Sequence, residues 1–155
     1  MVAPFRFLFR VRYGECDAQQ IVFNARWADY VDLATTEYTR VLFGSVDPAV
    51  AGADWRLVRQ LLEWRAPARF DDVLIAEVST VGVGTTSFTL ATRFLRAGTA
   101  APLVSAETVY VVVAPGAAPG AAVKQPVPDR HRQALLAGAP DVVTDHAGWR
   151  VESPV

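Results

Sequence analysis

The residues best suited to chemistry lie in an irregular stretch, Gly14 to Phe23, between a predicted strand and a predicted helix. Within this stretch, the carboxylate of Asp17 could attack a carbonyl carbon directly or take a proton from an attacking water molecule. The same carboxylate could instead cap a turn or balance the charge of Arg12, and position alone favours these structural roles. The residues do not decide between a nucleophile and a general base.

Backbone amides at the start of the predicted helix are the second candidate group. The first N–H groups of a helix have no acceptor within the helix, and the helix dipole makes this end positive. Such amides can polarise a carbonyl and stabilise the oxyanion that forms when it is attacked. We expect the backbone amides of Asn24 and its neighbour to take this role, and the Asn24 side chain to cap the helix.

Cys16 is the only cysteine, and it lies beside Asp17. A thiol nucleophile would need a nearby base such as histidine, but His131 and His146 both fall in the late, loop-rich part of the chain. We therefore expect Cys16 to be buried and unreactive. A single cysteine also excludes an intramolecular disulfide and a cysteine-based zinc cluster, and makes the cytoplasm the default compartment.

Two elements flank the irregular stretch. Alternate residues from Phe5 to Tyr13 are apolar or aromatic, which predicts a strand with one buried face. A helix of about 20 residues follows, from Asn24 to a left-handed C-terminal glycine at Gly44. Its apolar residues recur at steps of three and four: Trp27, Tyr30, Val31, Ala34, Tyr38, Val41 and Leu42.

Four further strands are predicted at residues 57–66, 73–82, 85–96 and 103–114. Glycine-containing turns between them indicate antiparallel hairpins. Residues 115–127, rich in proline, glycine and alanine, predict a surface loop, and Pro128 to Leu136 predict a short helix. The last dozen residues show no useful periodicity. The order β-α-β-β-β-β places the chain in the α+β class.

Composition limits the number of domains and the partners. A chain of 155 residues, 52% of them hydrophobic, has the size of one globular domain. We expect a single domain over residues 1–155 with a loop-rich segment from residue 115 onwards. The formal net charge of −1 argues against nucleic acid or an anionic membrane as the main partner. The longest charge-free run, Thr108 to Val123, is shorter than the ~18 residues of a membrane span.

The run from Tyr13 to Trp27 resembles the start of hotdog-fold acyl-CoA thioesterases of the 4-hydroxybenzoyl-CoA thioesterase type. The likeness continues in order over roughly residues 5–114, through Asp32, Thr36–Glu37, Phe70–Leu74 and the Gly84–Ser87 turn. It implies a hotdog fold, in which an antiparallel sheet of about five strands wraps around one long central helix.

The resemblance also implies an activity. The family hydrolyses thioesters, and its usual catalytic carboxylate matches Asp17, so an acyl-CoA or acyl-carrier thioester is the expected substrate, with no metal or redox cofactor. Hotdog domains pair their sheets and place the acyl site between subunits, which implies a homodimer or a tetramer. A non-catalytic acyl-binding protein is the alternative. An acyl-CoA hydratase is disfavoured, because such enzymes use a histidine near the central helix and this helix region has none.

Gln20 stands where relatives usually have glycine. The glutamine could hydrogen-bond the attacking water or the acyl carbonyl, but we expect it to narrow the pocket. If the family glycine is needed at positive φ, Gln20 is expected to force a different loop path.

Further residues are expected around the substrate. A pocket with an aromatic wall favours aromatic or short- to medium-chain acyl groups, with one acidic group able to meet a polar acyl substituent. The resemblance points here to Phe23, Trp27, Asp32, Thr85, Thr86 and Ser87. Each also has a structural explanation, as a hydrophobic staple, core aromatic, solvent-facing carboxylate or turn hydroxyl. Candidates for the phosphates of coenzyme A, which a solvated sheet edge would equally explain, are Arg65, Arg69, Arg93 and Arg96.

Overall fold

The computed structural model describes residues 4–149. The elements follow in chain order: β1 Phe5–Arg10, a 3-10 turn Tyr13–Glu15, α1 Arg26–Phe43, α2 Pro48–Ala51, β2 Asp54–Trp64, β3 Val73–Val83, β4 Ser87–Arg96, β5 Pro102–Val113, α3 Asp129–Ala137 and β6 Val143–Asp145. The six strands form one sheet in the order β2-β5-β4-β3-β1-β6. Neighbours among the first five strands are antiparallel, and β6 runs parallel to β1.

Helix α1 packs on the sheet through an aromatic face. Trp27 and Tyr30 contact Phe94 of β4, with ring centroids 5.3 and 6.4 Å apart. Five of the predicted core positions are at most 2% exposed, namely Trp27, Tyr30, Val31, Ala34 and Tyr38. One long helix against an antiparallel sheet is the α+β hotdog architecture that the resemblance predicts, so the predicted fold is confirmed.

Two predicted core positions are wrong. Val41 is 40% exposed on α1, and the buried positions at this end of the helix include the hydroxyl side chain of Thr39 instead. Tyr13 is 82% exposed, because β1 already ends at Arg10 and the chain enters the 3-10 turn. Alternation therefore continues in the sequence for three residues beyond the strand.

Two short elements lie outside the sequence prediction. The Asp47 side chain accepts a hydrogen bond from the Ala49 amide at 2.9 Å and caps α2. The strand β6 pairs with Arg6 to Leu8 of β1, and no element was predicted here because this end of the chain shows no useful periodicity. Residues 150–155 lie outside the described part of the chain. No helix within residues 4–149 is long and apolar enough to cross a membrane.

Candidate active site

The loop that carries Asp17 folds back on itself as a small hairpin. The Asp17 amide donates to the Ile21 carbonyl at 2.9 Å, and the Phe23 amide donates to the Glu15 carbonyl at 3.0 Å. One oxygen of the Asp17 carboxylate, Oδ1, accepts a hydrogen bond from the Gln19 amide at 2.8 Å. Within residues 4–149, no donor engages the other oxygen. The carboxylate is thus held by its own turn and keeps one oxygen free for chemistry.

Gln20 adopts the positive φ that this loop requires, although it is not a glycine. Its φ is +63°, in the left-handed region, and its amide donates to the Asp17 carbonyl at 2.9 Å. A non-glycine residue in this conformation costs about 1–2 kcal/mol. The hydrogen bonds of the turn therefore hold the glutamine in a conformation that glycine would adopt freely.

Asp17 and Gln20 line one cavity of about 370 Å³ together with Tyr13, Cys16 and Phe70. The rings of Tyr13 and Phe70 meet edge to face with centroids 5.9 Å apart, and they are 82% and 57% exposed. We refer to this space as the Asp17 cavity. Neither aromatic residue was predicted as a site residue, since Tyr13 continued the strand alternation and Phe70 entered only as part of the run that resembles the family.

The start of α1 differs from the prediction. The N-cap residue is Ala25, no side chain caps the helix, and the Arg26 and Trp27 amides donate to the carbonyls of Phe23 and Asn24 at 2.9 and 3.3 Å. The predicted capping role of the Asn24 side chain is therefore wrong, because carbonyls of a tight turn satisfy the amides that it would bind.

The amides of Asn24 and Ala25 themselves donate to no acceptor among the described residues. They lie at the positive end of α1, where Asn24 lines a second cavity of about 300 Å³. This Asn24 cavity is otherwise lined by Ile21, Val22, Trp27 and the residues 64–67. The start of α1 thus combines backbone amides without an acceptor and a cavity with a mainly apolar wall.

Asp17 and Asn24 line different cavities of one chain. In the hairpin ladder Asp17 lies opposite Ile21, and Asn24 follows three residues later, roughly 10 Å along an extended chain. The short segment Ile21 to Phe23 therefore separates the two cavities. A substrate whose reacting carbonyl lies at this segment could extend into both.

A buried carboxylate joins this loop to α1. Glu15 is 8% exposed and accepts hydrogen bonds from the Tyr30 hydroxyl at 2.7 Å, the Arg12 amide at 2.7 Å and Arg12 Nε at 2.9 Å. Burial raises the pKa of Glu15, but these hydrogen bonds together lower it by more, so its pKa lies below the ordinary value. Arg12 thus pairs with Glu15, and not with Asp17 as one structural interpretation suggested.

Neither a cysteine nor a histidine forms a nucleophilic pair at this site. Burial, followed by the charges of Asp17 and Glu15, raises the pKa of the half-buried Cys16 thiol, which favours the protonated form. His131 packs on Phe43 at the other end of α1, with ring centroids 4.4 Å apart, and His146 packs on Phe7 of β1. Neither histidine lines the Asp17 cavity or the Asn24 cavity.

Several predicted substrate residues are not brought to Asp17 within one chain. Phe23 is 52% exposed beside the free amides, whereas Trp27 is 2% exposed and serves mainly as a core residue. Asp32 is exposed and lines a third cavity of about 150 Å³ with Asp54 and residues of the α1 face. In a single chain, the expectation that Asp32 shares a pocket with Trp27 is therefore wrong.

The Thr85–Ser87 turn also lies far from Asp17. It joins β3 to β4, and Ser87 pairs with Val111, which in turn pairs with Arg56 near the start of β2. Trp27 at the start of α1 contacts Phe94, seven residues along β4 from Ser87, so the hydroxyl cluster lies roughly 23 Å from the helix start. The backbone carbonyls of Thr85 and Thr86 accept hydrogen bonds from the amides of Val127 and Val112, and the role of the hydroxyl groups stays a prediction.

The candidate phosphate ligands divide into two pairs. Arg93 and Arg96 form ion pairs with Glu77 at 2.6 Å and Asp72 at 3.0 Å. Arg65 lines the Asn24 cavity. Arg69 adjoins Phe70 of the Asp17 cavity, and its guanidinium has no acceptor among residues 4–149. Only Arg65 and Arg69 are therefore both close to the cavities and available for a ligand.

Within residues 4–149, no group of three or more His, Cys, Asp or Glu side chains is arranged to hold a metal ion.

Comparison with known proteins gives consistent matches. The family profile described as Thioesterase superfamily matches residues 19–102. The acyl-CoA thioester hydrolase YbgC of Escherichia coli O6:H1 is 31% identical over 112 residues, which cover 72% of this chain and 83% of that protein. YbgC of Shigella flexneri matches to the same extent.

Solved structures match the fold. A 1,4-dihydroxy-2-naphthoyl-CoA thioesterase from Synechocystis has a TM-score of 0.74 and 20% identity, covering 85% of this chain and 95% of its own. A mutant 4-hydroxybenzoyl-CoA thioesterase in complex with 4-hydroxybenzoyl-CoA has a TM-score of 0.75 and 18% identity, covering 84% and 96%. At these identities the structural likeness concerns the fold alone.

Proposed function

The chain belongs to the Thioesterase superfamily and is a thioester hydrolase, and on this premise we propose that it hydrolyses acyl-CoA thioesters with Asp17 as the catalytic carboxylate. The observation that carries the proposal is the free carboxylate oxygen of Asp17 at the wall of a cavity of about 370 Å³. The name of its 31% identical relative, an acyl-CoA thioester hydrolase, supports coenzyme A thioesters as the substrate class.

Two routes can use this carboxylate. As a general base, Asp17 takes a proton from water while the water oxygen bonds to the carbonyl carbon; the C–S bond then breaks, and the proton passes to the leaving thiolate. As a nucleophile, Asp17 bonds to the carbonyl carbon and expels the thiolate, and water then hydrolyses the mixed anhydride. Both routes yield a carboxylic acid and a free thiol without a metal ion or redox cofactor.

The free amides of Asn24 and Ala25 stabilise the negative charge that either route develops on the carbonyl oxygen. They donate to no acceptor in the described chain and lie at the start of α1. The loss of one such donor typically slows a reaction by a factor of about 100–1,000. This arrangement puts the reacting carbonyl at the Ile21–Phe23 segment, between the two cavities.

The acyl group occupies the Asn24 cavity. The walls there include Trp27 and Trp64, and the volume is about 300 Å³, which suits an aromatic or a short- to medium-chain acyl group. Phe23 flanks the entrance. The Asp17 cavity, with Gln20, Tyr13 and Phe70, then receives the coenzyme arm, and Gln20 narrows this passage.

The coenzyme phosphates bind to arginine. Arg69 directly precedes Phe70 and has no ion-pair partner in the described chain, and guanidinium groups match phosphate oxygens in geometry and charge. Arg65 is the second candidate, since only Glu63 lies near it, at 4.0 Å.

A second copy of the chain completes the site. The edge strand β2 is open on one side and carries exposed apolar side chains, which are Leu57, Val58, Leu61 and Trp64. Unpaired strand edges with such residues favour pairing with another strand. Antiparallel pairing of β2 with its own copy forms a two-fold homodimer.

This pairing brings the separated residues together. In an antiparallel pair of identical strands, the Asp54 end of one copy lies beside the Trp64 end of the other. Asp32 lies at the Asp54 end, in a cavity that Asp54 also lines, and the Thr85–Ser87 turn lies in the same row of the sheet. Each Asn24 cavity, at the Trp64 end, therefore faces the Asp32 end of its partner.

The test of the proposal is Asp17→Asn. We expect kcat for the release of free thiol from acyl-CoA to fall by at least about a hundredfold, as is usual when an acid–base group is lost, with an unchanged thermal midpoint. Asp29→Asn is the matched control, since Asp29 is an exposed carboxylate on α1 that pairs only with Arg26. Near-wild-type turnover in Asp17→Asn would exclude the assignment.

A further inference from the structure

The carboxylate of Glu15 is unusual for its position. It is one of the few charged groups that are buried, at 8% exposure, and it belongs to the hairpin two residues before Asp17. Burying a charge is costly unless hydrogen bonds compensate for it. Three N–H and O–H groups converge on the two oxygens, the Arg12 amide, Arg12 Nε and the Tyr30 hydroxyl.

These contacts join three parts of the site. The Tyr30 hydroxyl comes from α1, one turn after the helix start, and reaches Glu15 at 2.7 Å. The Glu15 carbonyl accepts the hydrogen bond of the Phe23 amide at 3.0 Å, and Phe23 immediately precedes Asn24. Glu15 therefore touches the helix through its side chain and the approach to the free amides through its backbone.

The Tyr30 ring needs no hydroxyl for its packing. It is 1% exposed and contacts the rings of Phe9 and Trp27 at centroid distances of 4.8 and 5.5 Å. A phenylalanine would fill the same space. What the hydroxyl adds is one directional bond between α1 and the hairpin of Asp17, and directional bonds fix relative position where apolar contacts do not.

We propose that Glu15 and Tyr30 are a positioning pair that fixes the Asp17 carboxylate relative to the oxyanion-binding amides of Asn24 and Ala25. The inference rests on the proposed catalytic role of Asp17. Both side chains are buried, and neither lines the Asp17 cavity or the Asn24 cavity, so neither is placed to touch the substrate. Small losses of alignment between reacting groups slow reactions strongly while leaving affinity almost unchanged.

The test compares Tyr30→Phe with Tyr38→Phe. Both substitutions remove one hydroxyl from a buried tyrosine of α1, and the Tyr38 hydroxyl hydrogen-bonds to Thr80 Oγ1, at 2.9 Å, away from both cavities. We expect Tyr30→Phe to lower kcat about tenfold with KM changed less than about twofold. We expect Tyr38→Phe to lower the thermal midpoint to a similar extent and to leave kcat and KM unchanged.

A double variant shows whether the effect acts through Asp17. In the Asp17→Asn background, Tyr30→Phe is expected to cause no further loss of the residual turnover, because residues that act as a unit are not additive. Glu15→Gln, which keeps the side-chain size, is expected to reproduce the fall in kcat.

The outcomes are distinguishable. Equal kcat in Tyr30→Phe and Tyr38→Phe, or an undiminished tenfold loss in the Asp17→Asn background, overturns the positioning pair and leaves the proposed function intact. Wild-type turnover in Asp17→Asn overturns both. The positioning pair is supported if Tyr30→Phe and Glu15→Gln each lower kcat as single variants. In addition, the Asp17→Asn/Tyr30→Phe double variant must turn over no more slowly than Asp17→Asn.

Discussion

Gln20 shows how a single residue carries a local cost at the candidate site. Its φ of +63° belongs to the left-handed region, which glycine enters without a steric penalty. The turn of Asp17 holds the glutamine there through the Gln20 amide, which donates to the Asp17 carbonyl. A strained conformation beside a candidate catalytic carboxylate is typical of a functional loop.

Substitution of Gln20 by glycine tests this strain. We expect Gln20→Gly to be more stable than Gln20→Ala by about 1 kcal/mol, because alanine keeps the steric conflict of a Cβ atom in the left-handed region. Gln19→Gly is the matched control. Gln19 does not have a positive φ, so Gln19→Gly is expected to destabilise the protein relative to Gln19→Ala. Urea unfolding measures each difference, and equal stability of Gln20→Gly and Gln20→Ala would contradict the strain.

Asp32 provides the second test at this scale. If its carboxylate reaches the acyl group in the site of the partner, a para-hydroxyl on a benzoyl group can donate to it, a bond worth about 1.5–3 kcal/mol for a charged acceptor. We expect Asp32→Asn to lower the ratio of kcat/KM for 4-hydroxybenzoyl-CoA to that for benzoyl-CoA at least about tenfold. The ratio for hexanoyl-CoA to benzoyl-CoA should stay constant.

The control for this comparison is Asp29→Asn, which removes another exposed carboxylate of α1. Identical substrate ratios in wild type and Asp32→Asn would remove Asp32 from the site.

The candidate catalytic loop could be proposed from the sequence, but the residues that surround it in space could not. Asp17 and the amide of Asn24 could be proposed because a carboxylate ahead of a helix start has a recognisable chemistry, and their catalytic roles stay predictions. The prediction that the Asn24 side chain caps α1 is wrong because carbonyls of the turn accept the hydrogen bonds of the first helical amides. Such carbonyls have no sequence signature. Tyr13 and Phe70 were missed because their cavity forms only when two distant segments meet.

At the scale of elements, α3 is attached to α1 through a buried histidine. His131 is 3% exposed and packs on Phe43, and its Nδ1 has no hydrogen-bond partner in the described chain. Burial, with the nearby charge of Arg130, lowers the pKa of His131 below its ordinary value of 6.5. The α3 contact therefore favours a neutral imidazole.

The stability of the protein is expected to depend on pH through His131. Below pH 6.5 the unfolded chain binds a proton that the folded chain does not, so the free energy of unfolding falls from this point down to the lowered pKa of the folded state. We expect His131→Leu to reduce the change of the thermal midpoint between pH 5 and 7, which is roughly the range in which histidine titrates. His146→Leu, at an exposed histidine, is the control.

Turnover provides an internal check on the same variants. Because both histidines lie outside the two cavities, replacing His131 and His146 together should leave kcat almost unchanged. A large loss of kcat would point to a histidine-based mechanism.

Helices and strands of six or more residues were predictable, and elements of three or four residues were not. The strands β3, β4 and β5 agree with the sequence prediction within two residues at each end, because alternation and glycine turns extend over many positions. The three residues of β6 and the four of α2 are too few for periodicity. These elements depend on pairing with β1 and on the cap at Asp47, which are set by tertiary structure.

At the scale of the whole molecule, the candidate residues divide between the two ends of β2. Asp17, Asn24 and Arg65 lie towards its Trp64 end, and Asp32 lies towards its Asp54 end. A single chain leaves these groups apart, and the two-fold pairing of β2 that we propose joins them.

Disruption of this edge is expected to separate the subunits and stop catalysis. Leu61 is 48% exposed on β2, and Leu61→Glu would place a like charge from each copy near the two-fold axis, where burial makes repulsion costly. We expect sedimentation velocity to show a monomer, with kcat reduced at least about tenfold although Asp17 is intact. Leu136→Glu, at a 70% exposed position of α3, should remain dimeric and active. A wild-type protein that is a stable, active monomer would contradict the proposal.

The short strand β6 has a consequence for how far such assembly can go. It covers Arg6 to Leu8 of β1, and with three residues it offers almost no template to a further chain. Growth of the sheet is therefore possible in one direction only, from β2. In a dimer formed through β2, both β2 edges are paired, so the short strand β6 is the edge strand at each end of the combined sheet. Association through β2, as proposed, is therefore expected to be self-limiting: a higher concentration raises the fraction of dimer and does not extend the sheet into a fibre.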